Sequence, residues 1–161
     1  MFYKVKPVGF IKKLETGEKC IEILEEYEKA LEKIEYFSHI IVLYWLNKVS
    51  DELRETLRIK PRFKWTPELG IFATRFPARP NPIGITTTRL LSRKGRILLI
   101  EDIDAEDGTP VLDLKPYIPL FDEPKGEVVL PPWVLKHIKE HHHDHHHLSF
   151  KEILKMVKIR R

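Results

Sequence analysis

Arg75 and Arg79 stand in the stretch Gly70–Leu90, GIFATRFPARPNPIGITTTRL, which is interrupted by Pro77, Pro80 and Pro82. Each guanidinium is a planar fork of donors suited to a carboxylate or a phosphate. The prolines fix φ and remove backbone donors, and they push the residues before them toward extended conformations. Such a loop is stiff, so little conformational entropy remains to be lost when a ligand binds. Asn81 both donates and accepts, which suits a base edge or an amide. Gly84 leaves room for a ligand or another backbone to approach closely. The same residues also suit a rigid surface loop whose arginines pair with local acids.

A second group lies in DIDAEDGTPVLDLKPY, residues 102–117. Asp107-Gly108-Thr109-Pro110 reads as a tight turn between strands, with Asp104 beside it. Carboxylates at a strand end accept hydrogen bonds from ribose hydroxyls or an amine, and they also serve as plain turn-forming acids. The third group is HHHDHHH, His141 to His147. Dense imidazoles bind divalent metals. A built metal centre gathers ligands from separate elements, so this contiguous tract reads as a solvated segment and no metal ligand is assigned. His39 follows Phe37-Ser38 in an apolar context and reads as a core histidine with a backbone partner. The chain has no G-x-G-x-x-G, no P-loop, no C-x-x-C and no H-E-x-x-H. Cys20 falls in an expected strand and is not read as a nucleophile.

The elements that must hold these groups are mostly strands. Val5, Val8, Phe10 and Ile11 favour a strand, and Thr16-Gly17-Glu18 a turn into a second one. EEYEKALEKIE places Tyr27, Ala30, Leu31 and Ile34 on one face of a helix. HIIVLYWL, His39 to Leu46, is apolar throughout and reads as a strand buried on both faces. Ser50-Asp51 starts a helix, and Leu57 to Ile59 alternates like a strand. Gly70–Thr74, Ile83–Leu91 and Ile97–Ile103 read as strands. In Val111 to Lys115 the leucines are expected on one side, with Asp113 and Lys115 on the other. Prolines 119, 124, 131 and 132 mark a linker, a short helix starts near Trp133, and Ser149-x-x-Glu152 is a capping box for a last helix. The expected fold is mainly β: a small antiparallel β-barrel over 1–121 with one early helix, and a linker with a helical C-terminal extension over 122–161.

Composition adds bounds. The 161 residues are 42% hydrophobic and 32% charged, enough for a packed core, and the net charge of +4 leans toward an anionic partner. No run of eighteen apolar residues is present, so no membrane span is expected. The start, Met1-Phe2-Tyr3-Lys4, lacks a signal peptide's apolar run, and a lone Cys20 allows no internal disulfide. A cytoplasmic protein fits both observations.

Three blocks, EYFSHIIVLYWL, GIFATRFPARPNPIG and DAEDGTPVLDLKPYIP, resemble in this order the TsaA/TrmO-like family, also called the YaeB family. The resemblance spans about Val5 to Pro119. It implies a methyltransferase on a small barrel rather than a Rossmann sheet, in keeping with the missing glycine fingerprint. It further implies S-adenosylmethionine as methyl donor, N6 of threonylcarbamoyladenosine beside the anticodon of tRNA as acceptor, and a homodimer with the cofactor near the subunit interface. Carried over by position, Leu46, Asn47, Arg75, Ile85, Ile103, Asp104 and Asp107 line the cofactor site. Arg79, Asn81, Lys115 and Tyr117 are read as substrate-binding, and Arg75, Asp104 and Asp113 as catalytic. Many members have a Pro-Arg-Gln segment near the position of Thr16-Gly17-Glu18, and Phe-His at Leu46-Asn47. The acceptor amine is weakened by delocalisation into its ring, so a carboxylate taking its N–H would help. Asp104, Asp107 and Asp113 all remain open for that role. Two other readings are a non-catalytic RNA-binding barrel and a metal-handling protein using the His tract. The first requires exposed aromatics among Lys and Arg, whereas Tyr44 and Trp45 lie in strands read as buried.

Overall fold

The structure, a computed structural model, describes residues 3–141 and 157–159. The chain forms two compact units, Met1–Ile59 with Leu69–Tyr117, and Lys60–Glu68 with Ile118–Arg161. The boundary between the two units lies at Tyr117/Ile118, and the segment 60–68 goes with the second unit.

The first unit is a closed barrel in which every pairing is antiparallel. Its strands are β1 (Gly9–Lys13), β2 (Lys19–Ile23), β3 (His39–Trp45), β6 (Ile83–Lys94), β7 (Ile97–Ile100) and β8 (Pro110–Pro116), arranged β1-β2-β7-β6-β3-β8. Closure leaves no free sheet edge. Period-two alternation sends Ile11, Ile21, Ile40, Val42, Leu98 and Val111 to the interior, each with 0% exposure. Burying each such side chain contributes about 1.5–3 kcal/mol.

β3 is a correction. It is apolar throughout yet buried on one face only: Ile40, Val42 and Tyr44 point inward, while Ile41, Leu43 and Trp45 are half-buried on the outer wall. An antiparallel barrel has a single interior, so its outer face needs only partial cover. Arg54 supplies some, its guanidinium lying 5.3 Å from the centroid of the Trp45 ring.

A β-bulge corrects β8. Tyr44 pairs with Val111 and Leu43 with Asp113, which leaves Leu112 as the extra residue. Val111 and Leu114 therefore pack on the core, and Leu112 does not join it. The expected early helix is instead two 3₁₀ segments, Glu25–Leu31 and Ile34–Tyr36, separated by Lys33 at φ 72. α1 (Asp51–Arg54) begins as expected, with Ser50 Oγ accepting from Leu53 N at 3.4 Å. A short pair, β4 (Arg58–Ile59) with β5 (Leu69–Gly70), leads to a 3₁₀ turn over Ile71–Ala73 where a strand was expected.

The second unit holds α2 (Pro119–Asp122), β9 (Val128–Leu130), α3 (Pro132–His141) and β10 (Val157–Ile159). β10 pairs in parallel with β9, so this part of the expected terminal helix is a strand. The capping box at Ser149 lies outside the described residues. Phe63 stacks on Trp65 with centroids 5.0 Å apart, and His137 of α3 sits 5.2 Å from Phe63. No described helix is long and apolar enough to cross a membrane.

Candidate functional site

Antiparallel pairing brings the end of β3, the start of β6 and the loop before β8 to one rim of the barrel. Leu46 N donates to Pro82 O at 2.8 Å, tying the end of β3 to the exit of the proline loop. The Lys48 ammonium pairs with Glu106, tying the same strand end to the acid-rich loop. Lys13 N donates to Asp107 Oδ1 at 2.7 Å and Gly108 N to Ile11 O at 2.8 Å, which adds β1. Gly108 takes φ 78 in that turn, a conformation L side chains rarely adopt.

The two loop arginines do different things. Arg79 turns inward on its own loop. Its Nε donates to Phe76 O at 2.9 Å, and Nη2 donates to Thr74 O at 2.6 Å and Ile71 O at 3.5 Å. It staples the proline loop, and the reading of Arg79 as a fork for a substrate anion is corrected to that extent. The prolines remove N–H donors, so the carbonyls around them need another source of hydrogen bonds. Arg75 is exposed and makes no hydrogen bond or ion pair with any described residue. Asn81 is exposed at the loop exit, where its carbonyl accepts from Ile83 N at 2.7 Å.

The three candidate acids also separate. Asp104 is exposed at the rim, with a carboxylate free of partners among the described residues. Its backbone carbonyl accepts from Tyr44 Oη at 3.1 Å, and that hydroxyl also meets Thr86 Oγ1 at 3.1 Å. Asp107 holds the β1 end. Asp113 is held by its own neighbours: Oδ1 accepts from Leu114 N at 2.9 Å and Oδ2 pairs with Lys115 Nζ at 2.8 Å. That hydrogen bond raises Lys115 above the ordinary lysine value. Asp113 lines a different cavity of ≈ 320 Å³ together with Tyr27, Phe37 and Leu114. Tyr117 lies further along, its N donating to His39 O at the opposite end of β3. His39 to Trp45 spans six steps, about 20 Å. Within one chain, Lys115 and Tyr117 therefore lie apart from the rim that holds Asp104.

Leu46 packs against the core and Asn47 is exposed at the rim. Ile103 is 1% exposed and belongs to the barrel core, so only its backbone can face a ligand; its carbonyl already accepts from Lys19 Nζ. Ile85 is 50% exposed and pairs with Leu43 on the outer wall, away from the interior that Tyr44 fills. The space beside Gly84 belongs to Tyr44: a Cβ there would come within 2.1 Å of the Tyr44 ring. His39 finds the Ser38 hydroxyl at 2.9 Å as its side-chain partner, rather than a backbone group.

A cavity of ≈ 330 Å³ opens at the rim between Ile11, Lys13, Lys19, Ala105, Glu106 and Asp107. Two lysines and two acidic residues line it; Lys19 is already paired with Asp102 at 3.1 Å and Glu106 with Lys48, so Lys13 is the lining cation without an ion-pair partner among the described residues. Lys13, Lys19 and Glu106 were not read from the sequence. Alternating Lys and Glu in short strands give no sign of which end of a barrel they occupy. Tyr44 was read only as apolar, although the polar tip of a buried tyrosine usually finds a hydrogen-bond partner. Among the described residues no group of three His, Cys, Asp or Glu is placed to hold a metal. Residues 142–147 of the His tract lie outside them.

Fold and rim together define a class: a small closed barrel that presents a braced basic loop and an acidic turn at one end, with no phosphate-binding glycine loop. Residues 11–123 match the family of tRNA-methyltransferase O N-terminal domains, and the chain belongs to that family. A probable S-adenosyl-L-methionine-binding protein of Methanothermobacter thermautotrophicus is 40% identical over 130 residues, covering 73% of this chain and 91% of that protein. A similarly described protein of Pyrococcus abyssi is 48% identical over 105 residues, 65% of this chain, and the chain spans 55% of its length. The tRNA (adenine(37)-N6)-methyltransferase of mouse is 35% identical over 78% of this chain, which spans 26% of that protein. The crystal structure of TrmO from Pseudomonas aeruginosa superposes with a TM-score of 0.60 at 28% identity, over 87% of this chain and 74% of that one.

Proposed function

We propose that this protein is an S-adenosylmethionine-dependent tRNA methyltransferase acting on N6 of a threonylcarbamoylated adenosine beside the anticodon. The family match over residues 11–123 carries this reading. The rim chemistry supports it. Glu106 and Asp107 offer acceptors for ribose hydroxyls and an α-ammonium, while Lys13 offers a cation for an α-carboxylate, which fits S-adenosylmethionine. That group supplies a methyl already activated on a sulfonium. The protein's own work is then to position the acceptor amine and take its proton.

Of the three candidate acids, Asp104 has the free carboxylate at the rim end, so we assign it the N–H hydrogen bond. Arg75 is the unpaired guanidinium on the braced loop, and we assign it the anionic part of cofactor or substrate. Ile83 (42% exposed), Ile85 (50%) and Phe72 (80%) leave apolar surface uncovered in a single chain. A second copy covering it gives the homodimer and brings Ile85 to the cofactor. A cytoplasmic location follows from the tRNA substrate.

Titration calorimetry with S-adenosylmethionine should give saturable heat, and methyl transfer to tRNA should follow. Asp104→Asn should lower kcat by about 10²–10⁴ with cofactor affinity retained. Absence of heat and of transfer together would return the protein to a plain RNA-binding barrel. That rival is better supported than the strand pattern suggested, since Phe72 and Phe76 are exposed beside Arg75.

A further inference from the structure

The positive charge of the chain is unevenly placed. The barrel unit contains seventeen Lys and Arg and seventeen Asp and Glu; the second unit contains eleven and seven. The whole net charge of +4 therefore belongs to the second unit, as do seven of the eight histidines. A tRNA is a dense polyanion, and most of its nonspecific affinity for a protein comes from phosphate neutralisation by Lys and Arg. A neutral barrel supplies little of that attraction.

Local structure in the second unit keeps some of these cations together and unpaired. Phe63 and Trp65 stack on each other at 5.0 Å, and Phe63 also contacts His137 of α3. Lys136 of α3 sits 4.8 Å from the Trp65 centroid, a cation–π contact. Lys60 Nζ closes the segment by donating to Thr66 O at 2.8 Å. This packing sets the segment that carries Arg62 and Lys64, which flank Phe63, against α3, the helix that carries Lys136 and Lys139. The last two are three positions apart and so share a helix face. Arg62, Lys64 and Lys139 are exposed and have no partner among the described residues; Lys136 has Glu140, at 3.9 Å, besides the Trp65 ring.

We infer that the second unit is a phosphate-contacting module that holds the RNA backbone through Arg62, Lys64, Lys136 and Lys139. The inference rests on the methyltransferase reading for its partner. Its contacts are independent of base identity. The Phe63–Trp65 pair is engaged by its own stacking, by His137 and by Lys136, so it braces the cations rather than stacking RNA bases. Selection of the target adenosine stays with the barrel rim.

The test is the full-length Arg62→Gln/Lys64→Gln/Lys139→Gln variant, with tRNA binding followed by fluorescence anisotropy across a series of salt concentrations. Each lost phosphate contact should reduce the slope of log K against log salt by about 0.7–0.9, so the triple variant should lose about 2.1–2.7. Affinity at low salt should fall at least about tenfold. Calorimetric binding of S-adenosylmethionine should be unchanged, which also shows that the barrel is folded. An unchanged slope and affinity in the variant would overturn the inference, whatever the activity of the parent protein. A parent that binds tRNA with a steep slope lost in the variant, yet transfers no methyl group, would end the methyltransferase reading and leave the phosphate module standing.

Discussion

The barrel and the second unit handle charge in opposite ways. In the barrel, cations and anions balance, and many are matched between segments distant in sequence: Lys19 with Asp102 at 3.1 Å, Arg96 with Glu22 at 2.9 Å, Arg93 with Glu35 at 3.2 Å. Arg93 also donates to Leu31 O at 2.9 Å, and Arg79 staples its own loop. These guanidiniums hold the chain together. In the second unit the basic side chains around Phe63 and Trp65 largely lack acids, and aromatic rings set their positions. A paired cation is evidence about folding, and an unpaired one on a braced element is evidence about a partner. By that criterion the braced rim loop offers Arg75, and the second unit offers Arg62, Lys64 and Lys139.

The largest expected effect tests the barrel's side of this contrast. Leu98→Ala removes a side chain with 0% exposure and should cost about 2–5 kcal/mol in denaturant unfolding. Cofactor binding should weaken with it. Leu135→Ala, in α3 at 5% exposure, should instead weaken tRNA binding while leaving the heat of S-adenosylmethionine binding intact. Equal loss of cofactor binding in both variants would erase the functional distinction between the units. Gly84→Ala comes next, at about 1–3 kcal/mol, because its Cβ meets the Tyr44 ring and Tyr44 anchors the Asp104 carbonyl. Its cost should extend to kcat, since the rim carboxylate is displaced with that carbonyl.

The arginine pair sharpens the contrast inside the barrel unit. Arg79→Ala strips hydrogen bonds from loop carbonyls and should lower stability by about 1–3 kcal/mol while weakening all ligands together. Arg75→Ala should leave stability within about 0.5 kcal/mol and reduce only cofactor or substrate affinity. Thermal melts with and without S-adenosylmethionine separate the two. A destabilised Arg75 variant would show that its guanidinium has a structural partner after all.

The sequence made the barrel legible and left the side-chain assignments open, for physical reasons. Short alternating runs marked the strands, and the Asp-Gly turn and the Ser50 cap lay where their chemistry pointed. The bulge at Leu112 was not readable, because one extra residue changes which leucine faces inward without changing the composition. The tail Val157–Ile159 pairs with β9, and a parallel contact between distant segments leaves no local pattern. In the candidate site, Arg75 and Arg79 look alike as letters. What separates them is the number of loop carbonyls left without donors by three prolines, which depends on the path of the loop. Asp104, Asp107 and Asp113 differ for the same reason: backbone N–H groups hold the last two, and only folding decides which.

The smallest expected effect concerns Cys20, 2% exposed in β2 of the barrel. Burial pushes its thiol above the ordinary value of 9.0, with Glu22 and Asp107 adding to the shift. A neutral buried thiol favours the folded state, so its contribution is fully present below the unfolded-state value and is lost as pH rises above it, when the unfolded chain ionises first. Stability should therefore decline slightly more steeply above pH 9 in the parent than in Cys20→Ala, once the constant cost of the cavity is subtracted. The native protein should also react slowly with a thiol reagent at neutral pH and rapidly once unfolded. Fast labelling of the folded protein would mean that β2 opens locally, and with it the wall of the rim cavity that holds Lys19.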